Sequence, residues 1–168
     1  MTILKVHKTH ENHNLPVYAT ENSACFDISF QCLGKTFVTG FDRTSQAITQ
    51  NIENETIILY AGDRILVPTG LIFILDPGTV LKLYARGSTG IKKGLRLANS
   101  VGIIDADYFH ETFIPLVNDT NVSIILTHGD RLAQAEVCRY EKMTFVQSLL
   151  PPDQTTNRVG GFGSTGIN

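Results

Sequence analysis

The stretch Tyr84–Glu111, YARGSTGIKKGLRLANSVGIIDADYFHE, decides how the rest of the chain is read. Its first half sets Arg86 before Gly87, Ser88, Thr89 and Gly90. A guanidinium fork, two hydroxyls and converging backbone N–H groups are the chemistry wanted by a phosphate or another oxyanion. In the second half Leu95, Leu97, Val101, Ile103 and Ile104 surround Asn99 and Gly102. This pattern predicts a β-hairpin whose turn lies near Asn99–Gly102, with Gly102 letting backbone come close to a flat ligand. Asp105 ends the apolar run, and a carboxylate beside a phosphate is either a metal ligand or a general base for water. A purely structural reading makes Gly-Ser-Thr-Gly a turn and Asp105 its cap. That reading weakens because so many such fragments share one short segment.

Outward from this segment the chain reads as β structure. Thr2–His7, Ala24–Phe30, Thr79–Ala85, Thr112–Val117, Val122–Thr127 and Arg131–Tyr140 are short runs rich in alternating apolar residues, separated by turns such as Asp76-Pro77-Gly78 and His128-Gly129-Asp130. Ile57–Tyr60 and the run Arg64–Leu75 add further strands, with Pro68 arguing for an edge or a bulge. Roughly seven to ten strands at this spacing indicate an all-β sandwich or jelly-roll barrel. Asp27 falls on the polar side of the Ala24–Phe30 alternation, where an acid ordinarily faces solvent. The loosely patterned stretch from Gly34 to Glu55 fits a long hairpin or a surface insertion, with a short helix over Ser45–Ile52 as a third option. His7, His10 and His13 have a metal-compatible spacing only if helical, and the Asn-Leu-Pro that follows argues against a helix.

The 168 residues carry 14 basic and 16 acidic side chains, for a net charge of −2, and no Trp. No basic run exceeds Lys92-Lys93, which argues against a non-specific nucleic-acid binder. No stretch reaches roughly 18 apolar residues, and the N-terminus lacks a basic and apolar leader pattern, so neither membrane insertion nor secretion is expected. The three cysteines, Cys25, Cys32 and Cys138, form no C-x-x-C pair, and a reducing cytoplasm suits them. One domain is expected over 1–152, with a surface insertion near 34–55, followed by a polar, glycine-rich arm over 153–168. In that arm Arg158, Phe162, Ser164 and Thr165 repeat the chemistry of the central segment: a guanidinium, two hydroxyls and an aromatic ring.

Five segments in fixed order carry a family resemblance. They are SACFDISF from Ser23, YARGSTG from Tyr84, NSVGIIDADYFHE from Asn99, GDRLAQAEV from Gly129 and NRVGGFGSTG from Asn157. Together they resemble the motifs of the trimeric deoxyuridine triphosphatases (dUTPases). The resemblance implies a homotrimer of jelly-roll-like distorted β-barrels, with active sites shared between subunits, that hydrolyses dUTP to dUMP and pyrophosphate with Mg²⁺. It makes Asp105 the carboxylate that activates water. Asn99 and the backbone around Gly102 become the reader of the uracil edge, Tyr108 the ring under the deoxyribose, and Phe162 the aromatic lid over the base. Arg86, Gly87, Ser88, Gln134, Arg158, Ser164 and Thr165 fall on phosphate-contacting positions. Asp27 falls on a supporting acid behind the hydrated metal, which the triphosphate and water would hold without direct protein ligands. Arg131 reads as a brace.

Two features depart from the family pattern. Gly87 stands where the second motif usually has Ser, and the spacing between the first two motifs is longer by about a dozen residues, a length a surface loop tolerates. A dCTP deaminase of the same superfamily, alone or bifunctional, is the nearest alternative and would need Glu111 as its acid. A non-enzymatic nucleotide-binding regulator on the same scaffold is the other.

Overall fold

The computed structural model describes residues 3–157. In chain order the strands are β1 (Lys5–Lys8), β2 (Val17–Tyr18), β3 (Phe26–Ser29), β4 (Phe37–Phe41), β5 (Ala47–Asn51), β6 (Thr56–Leu59), β7 (Arg64–Pro68), β8 (Leu71–Ile74) and β9 (Thr79–Ala85). After one helical turn, α1 (Gly87–Ile91), follow β10 (Leu95–Leu97), β11 (Gly102–Ile104), β12 (Phe113–Asn118), β13 (Ile124–Thr127) and β14 (Arg131–Arg139).

Two five-stranded sheets, ordered β10-β12-β7-β4-β5 and β11-β9-β14-β3-β2, are supplemented by the pairs β1-β8 and β13-β6. The pairings are antiparallel. Alternation in the strands sends Leu81 and Leu83 of β9, Ile114 and Leu116 of β12, and Leu95 and Leu97 of β10 into one fully buried core. Each such side chain contributes about 1.5–3 kcal/mol of transfer free energy. The result is the jelly-roll-like, distorted barrel expected from the strand spacing.

Several local expectations need correction. The strands flanking Asn99–Gly102 do not form a hairpin: β10 pairs with β12 and β11 with β9, so the turn crosses from one sheet to the other. Residues 45–52 contain no helix; β5 pairs with β4 there as an ordered hairpin. Pro68 does not mark an edge strand. It ends β7, which lies between β12 and β4, at a register position opposite Phe113 that β4 does not reach, so its missing N–H costs no ladder bond on that side. No helix among the described residues is long and apolar enough to cross a membrane.

Candidate active site

The site is built from two groups of side chains. The first lies where β9, β14 and β3 run side by side. Register places Gln134 of β14 opposite both Tyr84 of β9 and Asp27 of β3. Asp27 is buried, contrary to its expected solvent position, because its charge is matched from two directions. Arg86 donates through Nε to Asp27 Oδ1 at 2.8 Å, and Arg131 donates through a terminal nitrogen to Oδ2 at 3.0 Å. The Arg86 fork also donates to the Arg131 carbonyl at 3.2 Å and to Ser88 Oγ at 3.4 Å. A side chain with this many fixed partners is aimed before any ligand arrives.

The Gly-Ser-Thr-Gly run is α1, with Arg86 as its extended N-cap residue. Of its two hydroxyls only Ser88 is exposed; Thr89 is buried and donates to the Leu132 carbonyl at 2.8 Å. A Cβ on Gly87 would meet nothing within 4 Å, so glycine is not required there by space. Gln134 donates weakly to the Ala85 carbonyl at 3.4 Å. Beside them the Tyr84 hydroxyl donates to Glu136 at 2.8 Å, and that bond to a carboxylate pushes the phenol up to about 12.

The second group lines a cleft of about 310 Å³ in which Leu83, Asn99, Gly102, Ile104, Asp105 and Tyr108 meet. Its turn is tight: Val101 N–H donates to the Asn99 carbonyl at 2.6 Å, and Ser100 has φ of +62°. Gly102 keeps the two backbones close, since a Cβ there would come 3.0 Å from Leu83 Cβ and one of the two would have to give by a few tenths of an ångström. Asp105 is exposed on the rim of this cleft and also borders a second, shallower one of about 820 Å³ that holds Tyr140 and Lys142. Its carbonyl accepts from Tyr108 N–H at 3.1 Å, which folds the chain back so that Tyr108 also lines the cleft. The Tyr108 hydroxyl donates to the Glu111 carbonyl at 2.9 Å.

Asn99, Gly102, Asp105 and Tyr108 are thus brought together, and so are Asp27, Arg86, Ser88 and Gln134. Among the described residues no basic side chain lines the 310 Å³ cleft. The expectations for Arg158, Phe162, Ser164 and Thr165 lie outside the described residues. Sequence reasoning missed Lys35 and Gly70, which hold Glu111: Lys35 Nζ lies 2.6 Å from Glu111 Oε2 and Gly70 N–H donates to Oε1 at 2.8 Å. No local pattern signals either contact, because both partners come from distant loops. Among the described residues no group of three or more His, Cys, Asp or Glu could hold a metal ion. His10 and His13 belong to a ring cluster with His128, at centroid distances of 5.5 Å and 6.4 Å from His13.

Comparison with known proteins identifies the family. The dUTPase family model matches residues 51–166. The deoxyuridine 5'-triphosphate nucleotidohydrolase of Rickettsia typhi is 34% identical over 170 residues, spanning 99% of this chain and 100% of that protein. Among solved structures, the dUTPase of Streptococcus mutans superposes with a TM-score of 0.63 at 25% identity, covering 83% of this chain and 98% of its own. A mutant dUTPase of Staphylococcus bacteriophage 80alpha, solved with dUpNHpp, shares the fold at a TM-score of 0.76 and 18% identity, covering 99% of this chain and 100% of its own. A family match over most of the chain, on a fold that sets the motif residues into two convergent groups, shows that the chain belongs to the dUTPase family.

Proposed function

We propose that this dUTPase-family enzyme converts dUTP to dUMP and pyrophosphate by water attack at the α-phosphorus, with Asp105 as the general base. The observation that carries the reading is the single cleft in which Asn99, Gly102, Asp105 and Tyr108 meet. Backbone groups at Asn99 and Gly102 offer a donor and acceptor edge to uracil; cytosine would present its amino group to a donor, and a tight floor leaves no space for a thymine methyl. Tyr108 stands as the wall against a 2′-hydroxyl. Asp105 takes the proton of the attacking water while the α–β bridging oxygen leaves with its electron pair on pyrophosphate. Arg86, Ser88, the Gly87 N–H and Gln134 receive the phosphates, joined by Arg158, Ser164 and Thr165, and Phe162 covers the base.

Mg²⁺ dependence goes with the family, and the residues present suit an ion carried in on the triphosphate. Both oxygens of Asp27 are committed to arginines, so Asp27 would support the hydrated ion from behind Arg86. When bound, the ion offsets the triphosphate charge.

A cleft to which the described residues bring no cation, and a set of phosphate-receiving side chains outside that cleft's lining, support a homotrimer whose sites are completed by neighbouring copies. The deaminase alternative needs a free acid at Glu111. That carboxylate is instead held by Lys35 and the Gly70 N–H and is absent from the cleft lining. Incubating the protein with dUTP and, separately, dCTP in Mg²⁺ tests the reading: pyrophosphate from dUTP and no ammonia from dCTP are expected. Ammonia from dCTP would replace it with the deaminase reading.

A further inference from the structure

The wall at Tyr108 has a support that its own motif does not supply. Tyr108 is 38% exposed and stands on the loop 105–112, a position from which an aromatic ring would ordinarily sample several rotamers. Two contacts fix it locally. Its hydroxyl donates to the Glu111 carbonyl at 2.9 Å, and the His110 ring meets it edge-on with centroids 5.7 Å apart. Both partners sit on the same loop, so they hold Tyr108 only as firmly as the loop itself is held.

The loop is held through the Glu111 side chain. One oxygen takes the Gly70 N–H at 2.8 Å and the other meets Lys35 Nζ at 2.6 Å, with the carboxylate side chain only 10% exposed. A partly desolvated pair of this kind, with a backbone donor on the second oxygen, is geometrically specific in a way that a solvated surface pair is not. Each anchor is itself immobilised. Gly70 adopts φ of +68°, and a Cβ there would fall 2.1 Å from the buried His13 ring, so its backbone is wedged in place. Lys35 follows the tight turn closed by its N–H to the Cys32 carbonyl at 3.0 Å, and its ammonium also lies 5.7 Å from the centre of the Phe113 ring, which lines the cleft. Thr112, next in the chain, is buried and tied by its N–H to the Leu71 carbonyl at 2.9 Å.

We infer that Lys35 and Glu111, together with the Gly70 N–H, form a clamp that positions Tyr108, making Lys35 a specificity-determining positioning residue although it lies in none of the five motifs. This rests on the reading of Tyr108 as the wall against a 2′-hydroxyl. Neither clamp residue touches the reacting atoms. Loosening the clamp lets the ring swing and admits the ribonucleotide, while water activation at Asp105 proceeds as before.

Two measurements on the full-length assembled protein test the clamp. The first is kcat/KM for dUTP and for UTP in wild type, Lys35→Met, Lys35→Arg, Glu111→Gln and Tyr108→Ala. The second is the ¹⁹F spectrum of protein labelled with 3-fluorotyrosine, in which Tyr108→Phe identifies the Tyr108 resonance. Lys35→Met is expected to shift or broaden the Tyr108 resonance alone and to lower the dUTP-over-UTP ratio about tenfold, with kcat for dUTP kept within about threefold. Glu111→Gln keeps the acceptor for Gly70 but loses the charge and should move both readouts the same way. Lys35→Arg should restore both. An unchanged Tyr108 resonance in Lys35→Met and Glu111→Gln overturns the clamp. So does an unchanged ratio in variants whose Tyr108→Ala counterpart lowers it. Should the resonance move while neither Lys35→Met nor Tyr108→Ala alters the ratio, the clamp stands and the sugar-wall reading of Tyr108 falls.

Discussion

Asp27 and Arg86 lie 59 residues apart in sequence, yet the buried carboxylate accepts from the guanidinium Nε at 2.8 Å. The second oxygen is taken by Arg131, so one acid orients two cations. Asp27→Asn removes the charge while keeping the shape, leaving two guanidinium groups facing an amide. Because both guanidinium groups keep access to water, the loss costs about 1–3 kcal/mol rather than the larger penalty of a fully buried unpaired charge. Misaiming Arg86 should lower kcat/KM for dUTP by about 10²-fold. Urea unfolding and steady-state kinetics check both, and a variant with wild-type kcat/KM would show that Arg86 needs no guide.

Asp105 is an exposed carboxylate on the cleft rim, and the general-base role proposed for it would be worth about 10²–10⁴-fold in rate. Asp105→Asn should lose that much kcat while binding a non-hydrolysable dUTP analogue with nearly unchanged affinity. Single-turnover kinetics and calorimetric titration separate the two quantities. Retention of more than about a tenth of kcat would take the role from Asp105.

The proposed sharing of the site between copies can be tested by complementation. Chains carrying Asp105→Asn and chains ending after Pro152 should each be inactive, whereas mixed trimers regain partial activity because some sites draw every part from an intact donor. Verified mixed trimers without recovery would place the C-terminal contribution on its own subunit. Sedimentation of the wild type should give three times the chain mass.

His13 gives the fold a pH dependence. Burial holds this imidazole below its usual 6.5, helped by the neighbouring His10 and His128 rings, while Glu111 and a backbone bond at Gly70 pull the other way. In the unfolded chain the ring takes a proton near pH 6.5; in the folded chain it does so only at lower pH. Between those values the unfolded state binds more protons, so stability is full above pH 6.5 and falls as pH drops, by up to about 1.4 kcal/mol per pH unit. Urea unfolding at pH 8, 7, 6 and 5 should show a shallower loss for His13→Gln than for wild type at equal protein concentration. Parallel curves would mean that His13 does not set the slope.

Strands and turns were legible wherever local chemistry decides them. The Thr79–Ala85 strand is found as read, since alternation and the Asp-Pro-Gly turn before it are local signals. The Asn99–Gly102 turn was also readable, but not the partners of its two strands, because pairing across sheets depends on contacts far along the chain. Asp27 looked solvent-facing for the same reason: what permits its burial is Arg86 and Arg131, which alternation along Ala24–Phe30 cannot reveal. Ser88 and Thr89 are adjacent and chemically alike, yet one faces out and the other caps the Leu132 carbonyl. Lys35 sits in the stretch with the weakest pattern, so its bond to Glu111 left no trace in sequence.

The crossing at Asn99–Gly102 has a mechanical side. With β10 laced to β12 and β11 laced to β9, this turn is a rivet common to both sheets, with Ser100 in the left-handed region at its tip. A change of sheet spacing anywhere in the core becomes a change of angle at the rivet. Interiors packed at crystal-like density transmit such displacements rather than absorb them. Trimming Leu116, which lies opposite Leu97 two residues before the turn, to Val should therefore register first as poorer grip on the base, well before the barrel itself gives way.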